Sequence, residues 1–181
     1  MIAASSLAAQ RTVVGMVVFI ASESIFFLAI VLAYVAYRET GLATAKAELD
    51  VGRTAIFSVA LFASSGTMAL AALRRSRLWL AATIGLGAIF LAGQGSEYAR
   101  MLAVGIGPSS AMFGTTFFTL TGLHGLHVLA GVAALLALFT AATSRAAAVA
   151  PVAWEAVSLY WHFVDAVWVV VFGVVYLGTV L

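Results

Sequence analysis

Apolar residues in this chain neither alternate nor keep to one stripe. They run on in stretches of about 20 residues or more with few charges, broken by short polar segments. A bilayer core of about 30 Å is crossed by about 20 helical residues rising about 1.5 Å each. Five stretches reach that length: Thr12 to Tyr37, Thr54 to Leu73, Leu78 to Gly95, Met112 to Thr140 and Trp154 to Leu181. An open strand edge cannot satisfy its hydrogen bonds in lipid, so each stretch is expected as a helix. The predicted fold class is an all-α membrane protein, a five-transmembrane-helix bundle forming a single membrane domain over residues 1–181. The first run is too long for a signal-peptide core, and no small-residue cleavage pattern follows it, so it is expected to be retained as a span.

The connecting segments carry the topology. They are a polar stretch from Arg38 to Arg53, a basic turn "RRSR" at 74–77, a Gly/Pro/Ser loop "VGIGPSS" at 104–110 and "SRAAAVAP" at 144–151. Alternate sides of the membrane receive Arg11, Arg74, Arg75, Arg77 and Arg145 on one hand, and Arg38, Lys46, Arg53 and Arg100 on the other. The short, acid-free basic turn decides the expectation: it lies in the cytoplasm with the N-terminus, and the C-terminus lies outside. No internal repeat is visible, which counts against an inverted-repeat transporter. Glycines recur at helical spacing, Gly85 with Gly93, Gly87 with Gly95, and Gly122, Gly125 and Gly131, as expected where helices approach closely.

Composition agrees with the pattern and narrows the chemistry. The chain is 64% hydrophobic and 9% charged, with mean hydropathy +1.13, far from the balance of a soluble domain. Its net charge of +2 is too small to suggest nucleic-acid binding. With no cysteine there is no disulfide, iron–sulfur cluster or thiolate metal site.

Five ionisable residues fall well inside the predicted spans: Glu23, His124, His127, His162 and Asp165. Each is costly there, about 2.5 to 3.5 kcal/mol for an Asp at the centre of a helix, so each needs a partner. Glu23 and Asp165 both lie 11 residues into their spans, about 16 Å deep, which permits contact between them. His124 and His127 share a helix face, as do His162 and Asp165, and Glu155 lies seven residues before His162 on nearly the same azimuth. The stripe Glu155, His162, Asp165 reads either as a satisfied polar seam, in which a carboxylate fixes an imidazole tautomer, or as a proton relay. Glu23 has no charged neighbour within a turn of its own span. It is expected to be protonated there or answered by another helix or subunit. An i,i+3 histidine pair falls short of a closed metal site without further ligands, while His127 with His162 leaves a bis-histidine haem anchor open.

The motifs around these residues resemble subunit III of the haem-copper cytochrome c oxidases. "YWHFVDAVWVVVFGVVYL" resembles that family's closing helix, "FFTLTGLHGLHVLAG" its HGLHV helix, "QGSEYAR" its glutamate–tyrosine element and "ASESIFFLAI" the helix whose acid reacts with carbodiimide; "WEAVSLYWHFVD" keeps a glutamate seven residues before the histidine. These motifs stand in the family's order along nearly the whole chain. The resemblance implies that Glu23 is the buried carboxylate, that Glu97 and Tyr98 form the pair near the end of the third span, and that His124, His127, Glu155, His162 and Asp165 form the polar seam. Arg145 is the nearest cation to the family's lipid-phosphate contact.

It further implies no catalytic residue, metal or cofactor in this chain, with haem and copper in partner subunits and phospholipid bound in the bundle. The implied partners are the catalytic subunit I in direct contact, subunit II, a small subunit IV and membrane lipids, with no nucleic acid. The implied role is to stabilise the catalytic subunit and support its proton uptake in aerobic respiration, in a bacterial cytoplasmic membrane. Longer family members have seven helices, and this chain begins where their third would, so the resemblance is to the short five-helix form. The equivalent subunit of a quinol oxidase or nitric oxide reductase, a stand-alone proton-coupled carrier using Glu23 and Asp165, and the haem anchor remain as alternatives.

Overall fold

The computed structural model describes residues 2–40, 42–144 and 149–179. Its elements are α1 (Ile2–Tyr37), a 3₁₀ turn (Arg38–Thr40), α2 (Leu42–Glu48), α3 (Val51–Arg74), α4 (Arg77–Ala103), α5 (Met112–Thr143), α6 (Pro151–Val175) and a closing 3₁₀ turn (Leu177–Thr179). Among the described residues there is no strand. Five helices among them are long and apolar enough to cross a membrane: Ala9–Tyr37, Val51–Arg74, Arg77–Ala103, Met112–Thr143 and Pro151–Thr179.

Most of the helices extend beyond the expected spans, α1 starting as early as Ile2, and two differences have a clear physical cause. The third span continues eight residues beyond Gly95 to Ala103, because Glu97 and Arg100 stand one turn apart on α4 and neutralise each other at 2.6 Å. The polar segment after α1 also folds: α2 buries Ala45 and, just past its end, Leu49. Seven residues are too few for an apolar run to register, and tertiary packing holds so short a helix.

Local chemistry explains the turns. Asp50 caps α3, its Oδ1 accepting the Arg53 N–H at 2.9 Å. Arg75 ends α3 in the left-handed region at φ 46°, ψ 44°, where its N–H reaches back to the Ala71 carbonyl. An L-residue there costs about 1 to 2 kcal/mol, which marks this basic turn as a constrained one. Gly105, at φ 82°, ends α4 without that cost. Pro151 opens α6 at the position where its missing N–H is no loss.

α6 lies at the centre, packed against α1, α3 and α5, while α4 joins α3 to α5. The largest fully buried side chains include Trp161 and Trp168 of α6, with Phe90 of α4 edge-on to Trp168 and Phe117 of α5 edge-on to Tyr176. Two glycines make room for Trp161: a Cβ would stand 2.7 Å from its ring at Gly87 and 2.9 Å from it at Gly131. A Cβ at Gly93 would overlap the Phe57 ring. Gly85, Gly95 and Gly125 face open space, so only part of the glycine pattern serves close approach.

Candidate functional site

Besides a Thr67–Thr83 pair at 2.8 Å between α3 and α4, three clusters of polar groups inside the bundle tie helices together. In the first, Glu23 of α1 meets His127 of α5, Oε2 to Nε2 at 3.1 Å. His127 Nδ1 also lies 2.8 Å from the Leu123 carbonyl oxygen. That oxygen only accepts, so Nδ1 carries a hydrogen, and a single proton then lies between Nε2 and the carboxylate oxygen. Phe27 closes edge-on over the imidazole at 4.9 Å, and the Tyr160 hydroxyl of α6 donates to the His127 carbonyl at 3.1 Å. The partner of Glu23 is therefore a histidine 104 residues away.

The second cluster is a ladder between α6 and the serines of α3. Trp168 Nε1–H donates to Ser58 Oγ at 2.8 Å, and Trp161 Nε1–H to Ser64 Oγ at 2.9 Å. Ser65 Oγ and His162 Nδ1 are paired at 2.8 Å. The hydrogen-bond partner of His162 is a serine of α3 and not Asp165 one turn along its own helix. Asp165 is buried with neither carboxyl oxygen closing a hydrogen bond. His124 is likewise enclosed, stacked on Trp168 at 4.8 Å with Phe90 edge-on at 5.8 Å, and its two ring nitrogens are unbonded. The two histidines of "HGLH" thus serve different places: His127 turns to α1 and His124 to the tryptophan core.

The third cluster lies at the end of the bundle where α4 and α6 finish and α3 starts. The buried Glu97 holds Arg100 at 2.6 Å, and Arg100 also donates to the Glu48 carbonyl, tying the end of α2 to α4. The Tyr98 hydroxyl pairs with Thr121 of α5 at 2.7 Å. Beside them, Tyr176 lies close to Thr54 and Gln94, with its hydroxyl and the Gln94 amide nitrogen unbonded.

Two expected members stand apart. Glu155 is exposed and does not join the buried stripe: at its level α6 packs through its neighbours Trp154 and Ala156, which are buried. Arg145 lies outside the described residues. Among the described residues no three His, Asp or Glu side chains gather as a metal site would need. Sequence reasoning missed the α3 serines and the tryptophan N–H groups they accept from. The signal was present: Ser58 and Ser65 stand seven apart, on one face of an otherwise apolar span.

With the geometry in view, comparison with known proteins identifies the scaffold. The family model described as Cytochrome c oxidase subunit III matches residues 59–180. The chain belongs to the cytochrome c oxidase subunit III family. Within that family it is 35% identical over 175 residues to a cytochrome c oxidase subunit 3 of Synechocystis, covering 90% of this chain and 74% of the relative. It is 34% identical over 176 residues to a cytochrome c oxidase subunit 3 of Corynebacterium diphtheriae, covering 90% and 86%. A third relative, the cytochrome bo(3) ubiquinol oxidase subunit 3 of Pseudomonas aeruginosa, is 33% identical over 177 residues, covering 92% and 85%. A subunit III of a haem-copper terminal oxidase belongs to a multi-subunit complex, and five apolar spans make this one a multi-pass membrane protein.

Proposed function

We propose that this subunit III is a non-catalytic member of its oxidase, standing beside the catalytic subunit I with subunit II and a small fourth subunit completing the complex. Haem and copper reside in those partners. The chain's contribution is to stabilise the catalytic subunit during turnover and to sustain proton uptake, in the cytoplasmic membrane of a bacterium. The observation that carries the reading is the family match over residues 59–180. The internal bonding supports it: Glu23 is spent on His127, His162 on Ser65 and Glu97 on Arg100, all within the bundle.

The test is to purify the oxidase through a tag on this chain in mild detergent, weigh the subunits and record an optical spectrum. Haem-containing partners should co-purify. A chain that emerges alone and coloured, or that drives ions across vesicles unaided, contradicts the reading.

Identity at the 33% level to a ubiquinol oxidase subunit, against 34–35% to cytochrome c oxidase subunits, keeps a quinol-oxidising parent complex as the second reading. Oxidation of reduced cytochrome c or of a quinol by the same preparation separates them. For topology, the N-terminus and the exposed turn Arg74, Arg75, Arg77 belong in the cytoplasm. The chain has no cysteine, so Arg74→Cys and Val104→Cys report the two sides. An impermeant maleimide applied to intact cells should label the second and spare the first; the reverse overturns this orientation.

A further inference from the structure

We propose that the subunit carries a buried water-binding site at the end of the bundle where α4 and α6 finish, held by Tyr176, Gln94 and Glu97. Tyr176 is 0% exposed, Glu97 2% and Gln94 6%, so lipid and bulk solvent are both shut out. Each nonetheless keeps a polar atom that closes no hydrogen bond: the Tyr176 hydroxyl, the Gln94 amide nitrogen Nε2 and Glu97 Oε2. Gln94 and Glu97 stand one turn apart on α4, and Tyr176, the residue that ends α6, lies near Gln94, Glu97 and Thr54. Unbonded polar atoms from two helices are thus gathered in one enclosed place.

Packing and existing bonds hold these groups where they are. The Tyr176 ring is fixed by Phe172 stacked at 5.4 Å, with Phe117 edge-on at 6.4 Å and Trp168 at 6.2 Å, so its hydroxyl is not free to swing toward a partner. Glu97 is anchored through its other oxygen to Arg100 at 2.6 Å, and Arg100 in turn donates to the Glu48 carbonyl. The neighbouring Thr121 hydroxyl is already engaged, donating to the Phe117 carbonyl at 2.7 Å and accepting from Tyr98 at 2.7 Å. A buried polar atom that finds no protein partner is ordinarily met by an ordered water.

Charge and donor count decide which ligand fits. The Tyr176 hydroxyl and the Gln94 amide offer hydrogens, while Glu97 Oε2 accepts. An anion would face the Glu97 carboxylate, and a cation would face those hydrogens and the Arg100 guanidinium; the Glu97–Arg100 pair is neutral as a whole, so neither ion finds its charge answered. Water both accepts and donates, and a buried water typically makes about three bonds. Accepting from Tyr176 and Gln94 and donating to Glu97, one molecule joins α4 to the end of α6. Exchanging the nitrogen and oxygen of the Gln94 amide reverses one of these bonds and leaves the site intact. The site does not depend on which oxidase the subunit serves.

Cryo-electron microscopy of the intact oxidase, at a resolution where ordered waters are seen elsewhere in the complex, tests the proposal in sodium chloride, sodium bromide and rubidium chloride. A peak of water strength should stand within hydrogen-bond reach of Tyr176 Oη, the Gln94 amide and Glu97 Oε2, the same in all three salts. Tyr176→Phe, which deletes one of the three bonds and keeps the ring, should weaken the peak about twofold or more relative to other buried waters. Gln94→Met, similar in length and without the amide, should do the same. Tyr160→Phe removes a hydroxyl bonded to the His127 carbonyl and should leave the peak unchanged. Thermal unfolding verifies that each variant is folded. Tyr176 bonded directly to Gln94 or Thr54 with nothing between, a peak that strengthens with bromide or rubidium, or a peak that Tyr176→Phe and Gln94→Met weaken no more than Tyr160→Phe does would overturn the assignment.

Discussion

The spans Ala9–Tyr37, in α1, and Pro151–Thr179, which begins with α6, are both 29 residues long, yet they do opposite work. The span of α1 is the more apolar, with mean hydropathy 2.5 against 1.7, but 11% of its most apolar stretch is buried against 44% for α6. Val14, Val18, Ile25, Leu28 and Leu32 of α1 face outward, while α6 buries Trp161, Val164, Trp168, Val171 and Val175. In lipid, apolar surface gains nothing by turning inward, so helices associate through close packing and hydrogen bonds. The less hydrophobic helix is therefore the central one. α6 supplies two indole N–H groups, an imidazole and a phenol to its neighbours, whereas α1 offers its bundle one deep acid, Glu23, through a single bond to His127.

The contrast can be broken most severely at the centre. Trp168→Ala removes a fully buried ring with its bond to Ser58, and should lower stability in detergent by about 3 to 5 kcal/mol, the range for large aromatic truncations. Val18→Ala on the outer face of α1, where the side chain is 63% exposed, should change it by less than about 0.5 kcal/mol. Thermal unfolding followed by circular dichroism measures both. Equal effects would mean that α6 is not the organising helix.

A second pair sharpens the packing claim. Gly87→Ala drives a methyl to 2.7 Å from Trp161, a ring stapled to Ser64 and without room to retreat. It should destabilise by about 1 to 3 kcal/mol. Gly85→Ala, half a turn away in open space, should be neutral or stabilising by up to about 1 kcal/mol through helix propensity. The difference in melting temperature between the two variants is the readout.

The smallest effect belongs to the α1 contact. Intramembrane hydrogen bonds measured by double-mutant cycles average about 0.6 kcal/mol and reach about 1.7. The Glu23–His127 coupling should fall in that range in a cycle of Glu23→Leu and His127→Leu, while Glu23→Gln, which keeps a donor and an acceptor, should cost less than Glu23→Leu. A coupling of zero would detach α1 from the polar seam.

How much of this was legible in the sequence follows the same physics. The five spans were, because their length is set by the bilayer and needs no partner. The end of α4 was not: Glu97 and Arg100 look like the start of a loop until their mutual neutralisation and the burial of Glu97 are known. The positions of Glu23, His127, His162 and Asp165 inside spans were also legible, but their pairing was not. Spacing places His162 and Asp165 on one face, yet what His162 bonds depends on which helix stands opposite, and that is α3 with Ser65. Glu155 fits the same stripe by azimuth, but at its level α6 packs through Trp154 and Ala156 and leaves it exposed. The left-handed Arg75 had no signal beyond the basic turn itself.

The central claim is that the polar residues within the bundle hold helices together and leave the chemistry to partner subunits. The most direct measurement takes His127→Leu and Asp165→Leu oxidases, purified through a different subunit, and records both the amount of this chain per haem and the initial turnover per haem. The account predicts less of the chain in the complex, with an unchanged haem spectrum and unchanged initial turnover in the complexes that retain it. Full occupancy with initial turnover abolished would contradict it.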